Sequence, residues 1–245
     1  MSEHRRPRLR WWKEVLYVLA FYAVYSSIRI RLEGSKGRAF GNARRIIDLE
    51  QAIGTYVEEG VQQAFLGWRS FIQFWNVFYG SFHFIVTIVA LVYMFRKMPT
   101  RYPLWRNTLA CMTGLALVGF ATFPLMPPRL LPTSYGFVDT LVHYPALWSF
   151  DSGAMKKAAN QYAAMPSLHI GWATWCVCVL LPAMRTTWAK VAMALYPVGT
   201  LFAIVVTANH YWIDALGGLT VLGLGHLLAR VITRLTWGEP APRSG

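Results

Sequence analysis

The sequence predicts an all-α fold, a polytopic membrane protein of six transmembrane helices with an interfacial amphipathic helix between the first two. Three observations carry this prediction. The chain of 245 residues is 55% hydrophobic and only 14% charged, too apolar and too poor in charge for a soluble domain of that size. Six apolar runs, roughly 13–30, 70–95, 105–126, 167–185, 188–207 and 210–234, approach the ~20 residues needed to cross a bilayer. Its 24 lysines and arginines, which give a net charge of +13, gather between and beside those runs, where juxtamembrane anchors sit. They form no basic stripe interleaved with aromatics on a polar element, so the expected partner is a lipid bilayer and not a nucleic acid. Residues 1–237 are read as one six-span membrane domain, and 238–245, rich in proline and glycine, as a disordered tail.

The N-terminal run opens with Arg5, Arg6, Arg8, Arg10 and Lys13 and is followed by no small-residue cleavage pattern, so it reads as a retained signal anchor. Placing the N-terminus in the cytoplasm puts fourteen of the 24 basic residues inside and ten outside, the sense of the positive-inside rule for a plasma-membrane protein. Between the first two runs, residues 41–66 carry Ile46, Leu49, Ile53 and Tyr56 at helical spacing with Arg44, Arg45, Asp48 and Gln51 between them. That pattern predicts an amphipathic surface helix, either packed on the outer end of the bundle or sensing the membrane.

In the second run Asn76, Tyr79, His83 and Thr87 recur every three or four residues, one polar stripe that must face the bundle interior or a wet cavity. His83 is read either as a structural hydrogen-bonding group or as a substrate contact. The third run ends in prolines at Pro124, Pro127 and Pro128, which stop the helix and hold Arg129 at the outer rim; taken alone, Arg129 also fits a snorkelling anchor. The extracytoplasmic loop 127–166 contains Asp139, His143, Asp151, Lys156 and Lys157, to which the sequence assigns no role. Pro166 ahead of Ser167 is a helix-start signal, so His169 falls in a first turn whose N–H groups and dipole favour an anion. The fifth run carries Pro197, a tolerated kink, and Asn209 and His210 separate it from the sixth. Cys111, Cys176 and Cys178 all lie inside apolar runs and read as small core residues.

His210 and Asp214, four residues apart, are expected to share one helix face at the start of the sixth run, where charge is expensive. The topology gathers Asn76, Arg129, Ser167, His169, Asn209, His210 and Asp214 on the outer side, with His83 deeper. Two histidines, a carboxylate, an arginine and a helix N-terminus suit phosphoryl transfer, which consists largely of positioning a trigonal anion and surrounding it with donors. A neutral imidazole attacks phosphorus, a carboxylate on its other nitrogen fixes the tautomer, and a second histidine serves the leaving oxygen. The same His, Asp and remote His could ligate a metal, but Arg129 would repel a cation and neither histidine has a neighbouring Glu; neither metal nor cofactor is expected.

Pro166, Ser167, Leu168 and His169, together with His210 and Asp214, resemble the histidine blocks of the type-2 phosphatidic acid phosphatase superfamily. The resemblance implies His210 as nucleophile forming a phosphohistidine, Asp214 as its orienting partner and His169 as general acid. The chain departs from the phosphatases in three places: Ile204 stands where they carry an arginine six residues before the nucleophile, Thr122 where they carry a lysine, and Leu168 where they carry a glycine. It is more similar to the inositol phosphotransferase branch, including inositol phosphorylceramide synthase, through Asn42-Ala43-Arg44, Leu49-Glu50, Asn76, Tyr79 and His83. That branch implies transfer of a phosphoryl or phospho-headgroup, such as phosphoinositol, between lipid-linked substrates. The expected substrate is thus a lipid phosphate or phospholipid, held by Arg129, Ser167, Asn209, Asn76, Tyr79 and His83. A lipid phosphate phosphatase with the same site and a non-catalytic lipid transporter remain as alternatives.

Overall fold

The computed structural model describes residues 9–32, 34–145 and 160–237, and the described residues are helical throughout except for loops and one isolated bridge between Leu125 and Ala163. Ten α-helices follow in order: α1 Trp11–Arg31, α2 Lys36–Ala52, α3 Glu58–Phe65, α4 Arg69–Val77, α5 His83–Lys97, α6 Tyr102–Thr122, α7 Thr140–His143, α8 Leu168–Leu180, α9 Thr187–Val206 and α10 Asp214–Trp237. A π-helical turn, Phe78–Phe82, joins α4 to α5. Asp151, Lys156, Lys157 and the tail 238–245 lie outside the described residues.

Three helical stretches are long and apolar enough to cross a membrane: Arg69–Lys97, Thr187–Val206 and Asp214–Thr236, or four if α1 and α2 are taken as one broken span. The remaining expected spans are present as helices but fall short of that measure, for visible reasons. The apolar helix at Leu168–Ala183 is too short, α6 carries Arg106 and Asn107, and α1 carries Glu14, Arg29 and Arg31. Glu14 and Arg106 answer each other in an ion pair of 2.7 Å, which removes much of the cost of placing either in an apolar helix.

Residues 41–66 are not one helix. Gly54, at φ 70°, sits in the turn between α2 and α3, in a conformation that costs glycine little. α2 buries Ala39, Ala43, Ile46 and Ile47 against Leu125, Met126, Phe137 and Tyr211, while Leu49 and Ile53 of the expected apolar stripe point outward. The inward face therefore keeps Ile46 of the stripe and continues through Ala43 and Ala39, one and two turns earlier.

Two layers of cross-links define the ends of the bundle. At one end, Asn107 donates to Thr233 (3.0 Å), Thr108 meets His226 (3.2 Å) and Trp175 donates to the Trp105 carbonyl (2.9 Å). The loops and short helices α2, α3 and α7 gather at the other. Between the ends, α6 and α10 form the most extensive helix pair, and glycines let backbones touch: a Cβ on Gly225 would lie 2.6 Å from the Met112 nitrogen, and one on Gly218 would lie 2.3 Å from the Ser167 carbonyl oxygen. Close approach through small residues is how helices associate where apolar solvent gives no hydrophobic drive. Large apolar side chains such as Leu19, Ile88, Val198 and Leu227 stay exposed around the girth, a surface suited to acyl chains.

Candidate active site

The loop-bearing end collects the residues that the sequence singled out. α9 stops at Val206, and the chain reverses through Ala208, whose φ of 53° is left-handed and unfavourable for a residue with a Cβ. The Ile204 carbonyl accepts both the Asn209 N–H (2.9 Å) and the His210 N–H (3.1 Å), closing the reversal. His210 thus sits in a turn before α10, and Asp214 is the first residue of that helix. This corrects the expectation of one shared helix face. The i, i+4 pair still forms, because the turn brings His210 Nδ1 to 3.1 Å from Asp214 Oδ2. Asp214 is fully buried and His210 nearly so, and an ionised carboxylate at this distance favours the tautomer that carries its proton on Nδ1.

The turn between them hangs on three carboxylates. The Tyr211 N–H donates to Asp214 Oδ2 (3.1 Å), the Trp212 N–H to Glu58 Oε1 (2.9 Å) and the Ile213 N–H to Glu50 Oε1 (3.3 Å). These N–H groups lie in the turn just ahead of α10, and the carbonyls of the same three residues accept the N–H groups of Asp214, Ala215 and Leu216. Glu50 and Glu58 are both fully buried. Burial, followed by the neighbouring Glu58 charge, pushes the Glu50 carboxyl up to about 9, while Glu58 also accepts the Val57 N–H (3.0 Å). The sequence reading used Glu50 only as part of a resemblance and gave Glu58 no role. Their signal was a group of acids, Glu33, Asp48, Glu50, Glu58 and Glu59, in the segment between the first two runs.

His169 occupies the first turn of α8, as expected. Ser167 is the N-cap residue, fully buried, and its Oγ has no hydrogen-bond partner among the described residues; its own N–H donates to the Asp214 carbonyl (3.1 Å), tying the starts of α8 and α10 together. The His169 ring lies 5.6 Å from that of His210, 4.3 Å from that of His83 and 4.3 Å from that of Tyr79, stacked on the last. The π-helical turn at Phe78–Phe82 contains Tyr79 and directly precedes His83, an insertion of a kind frequent at functional sites. His83 Nδ1 meets the Tyr79 carbonyl (3.0 Å). A narrow recess lies beside these rings, lined by Phe78, Tyr79, His83, His169, Thr200 and Ile204 among others.

Arg129 stands in a short 3-10 turn, Pro128–Leu130. Its N–H donates to the Ala208 carbonyl (2.8 Å), its Nε to Asn209 Oδ1 (2.9 Å) and its Nη1 to Asp139 Oδ2 (2.8 Å). Asn209 in turn donates to Thr207 Oγ1 (2.8 Å). Arg129 is therefore built into the reversal that carries His210, and Asp139, unassigned from sequence, orients it. Gln62 fixes that loop by exchanging two hydrogen bonds with Val138, at 3.0 and 2.9 Å. Asn76 is not beside the histidines' hydrogen bonds: its amide bonds Thr140 and the Tyr144 carbonyl, and it posts α7 onto α4. Thr87 meets the Cys176 sulfur at 3.6 Å, and among the described residues the three cysteines are free and no three His, Cys, Asp or Glu side chains are grouped to hold a metal ion.

Taken together, the geometry brings the His210–Asp214 pair, the His169, His83 and Tyr79 rings, the start of α8 and, through Asn209, the Arg129 guanidinium to one end of the bundle. A family model described as the PAP2 superfamily matches residues 44–228, most of the chain and every site residue from Asn76 to Asp214. No curated protein and no solved structure matches the chain.

Proposed function

Since the chain belongs to the PAP2 superfamily, we propose that it is a membrane phosphotransferase that moves a phosphoryl or phospho-headgroup, such as phosphoinositol, between lipid-linked substrates through a phosphohistidine. Members of the superfamily are phosphatases or phosphotransferases of lipid phosphates, so at that level the chain is a membrane-associated enzyme of this kind. The observation that carries the finer reading is the His210–Asp214 contact with His169 packed beside it.

In the first step His210 Nε2 donates its lone pair to phosphorus, the bond to the leaving oxygen breaks, and His169 gives that oxygen a proton. Asp214 stabilises the imidazolium character that develops on His210. In the second step an acceptor hydroxyl passes its proton to His169, its oxygen attacks phosphorus, and the bond to His210 breaks. Arg129, Asn209 and the N–H groups at the start of α8 serve the equatorial oxygens.

Transfer is favoured over hydrolysis by Ile204, a fully buried apolar residue at the position where the phosphatases carry an arginine. In this reading six helices cross the plasma membrane, the N-terminus is cytoplasmic, the reactive end is extracytoplasmic, and α2 and α3 lie at the interface with Leu49, Ile53 and Val57 exposed. The test incubates purified enzyme with phospholipid and candidate lipid acceptors in mixed micelles. A new phospholipid is expected; free phosphate with no new lipid would leave the phosphatase reading. Absence of a phosphate-labelled, acid-labile adduct that disappears in His210→Asn would leave a non-catalytic lipid transporter.

A further inference from the structure

The arginine absent at Ile204 leaves a phosphate site short of one cation, and the first helix brings a cation toward the same place. Tyr22, Tyr25 and Arg29 are spaced three and four residues apart on α1 and so share one of its faces. Tyr22 meets Phe84, the neighbour of His83, at 6.4 Å between ring centroids. Tyr25 is buried in a cluster that includes Phe120, Ala163 and Leu168, the neighbour of His169. Arg29 is one turn further toward the loop-bearing end on that face, and Asn160 Nδ2 donates to its carbonyl at 3.1 Å, fastening the last turn of α1 to the segment that leads into α8.

The Arg29 side chain is half-buried. Its Nε is buried with no hydrogen-bond partner among the described residues, and a buried donor left unpaired is costly. A guanidinium is well suited to remain poised in such a place because its planar fork matches phosphate oxygens and its charge is permanent. Arg29 stands on α1 and Arg129 in the turn Pro128–Leu130, so the two guanidinium groups come to the loop-bearing end from different elements.

We propose that Arg29 is a substrate-binding residue that supplies the second guanidinium of the phosphate site, in place of the arginine missing at Ile204. The ligand is the phosphate group of a lipid phosphate or phospholipid, and the assignment rests on the phosphoryl-transfer reading of the His210 site. Arg129 approaches from the loop after α6, with its Nε and one Nη already committed to Asn209 and Asp139. Arg29 approaches from α1 with its Nε unpaired among the described residues.

The experiment measures the affinity of the purified full chain for orthovanadate, a phosphate analogue that adopts the trigonal geometry of the transferred group, by calorimetry in detergent. Wild type and Arg29→Gln are compared, with unfolding temperature recorded without vanadate. The expected result is binding by the wild type and a loss of roughly ten- to hundredfold in Arg29→Gln at an unchanged unfolding temperature. Equal affinity in the two overturns the role of Arg29 and leaves the His210 reading intact. Absence of binding by the wild type overturns both. If Arg29→Gln does not fold, Arg29→Lys decides: the charge without the fork is expected to bind several-fold more weakly, and an unchanged affinity overturns the proposal.

Discussion

Glu58 Oε1 accepts the backbone N–H of Trp212 at 2.9 Å, so a carboxylate on α3 holds the turn that joins His210 to Asp214. The same carboxylate accepts the Val57 N–H through its other oxygen. Glu58→Ala would leave two N–H groups without their acceptor, at a cost of about 1–3 kcal/mol for each one that stays buried. The expected outcome is a lower unfolding temperature and a turnover at least about tenfold lower, with KM changed less than turnover because the His210 turn, not the bound lipid, loses its support. Equal turnover in the variant and the wild type would show that α3 does not position the turn.

Glu50 gives a pH dependence with a definite sign. Its folded carboxyl is pushed up to about 9 by burial and by Glu58, so the folded state keeps a proton that the unfolded chain releases at the ordinary carboxylate range. This contribution to stability is fully present below the unfolded pKa and is lost as pH rises through the folded value near 9. The wild-type unfolding temperature should therefore decline between about pH 5 and 9 more steeply than that of Glu50→Gln. Parallel profiles for the two proteins would refute the assignment.

Asp214→Asn keeps the shape of the carboxylate and removes its charge. The His210 tautomer is then no longer imposed, and by comparison with the orienting aspartate of hydrolytic triads the turnover should fall by about 10³–10⁴. Labelled phosphate bound to His210 should become undetectable on rapid quenching while lipid binding persists. A turnover within threefold of wild type would rule out the orienting role.

Gly218 offers a packing test remote from the chemistry in sequence. A methyl group there would sit 2.3 Å from the Ser167 carbonyl oxygen, and neither backbone can yield without moving a helix. Gly218→Ala should destabilise the protein by about 1–3 kcal/mol and lower turnover as well, whereas Gly223→Ala, which meets nothing within 4 Å, should do neither. Thermal unfolding and activity of the two variants side by side provide the check.

The parts of this molecule legible in the sequence were those with a local signature. Pro166 and Ser167 announced the start of α8, the prolines after Thr122 announced the end of α6, and the spacing of Asn76, Tyr79 and His83 announced an inward stripe. The sixth run was started at His210, four residues ahead of α10, because Tyr211, Trp212 and Ile213 carry the apolar pattern back into the turn. Whether a histidine stands in the first turn of a helix or in the turn before it depends on the Ile204 carbonyl and on carboxylates 154 and 163 residues away, neither of which leaves a periodic trace. Glu50, Glu58 and Asp139 were visible as acids, but their roles follow from long-range contacts to backbone N–H groups and to Arg129. Residues 41–66 read as one helix because the break at Gly54 interrupts the polar pattern only briefly.

The contact of Gly218 with Ser167 also sets a length. The first turns of α8 and α10 touch through main-chain atoms, and the Ser167 N–H donates to the Asp214 carbonyl. The spacing between the helix that carries His169 and the helix that begins with Asp214 is thus ruled by peptide bonds, not by interchangeable side chains. Mutational drift around the site can alter charge, volume and hydrogen bonding while this ruler stays constant. In the proposed function, a lipid of a different size is accommodated outward, toward the α1 and loop side, because these two helices are spaced by main-chain contact.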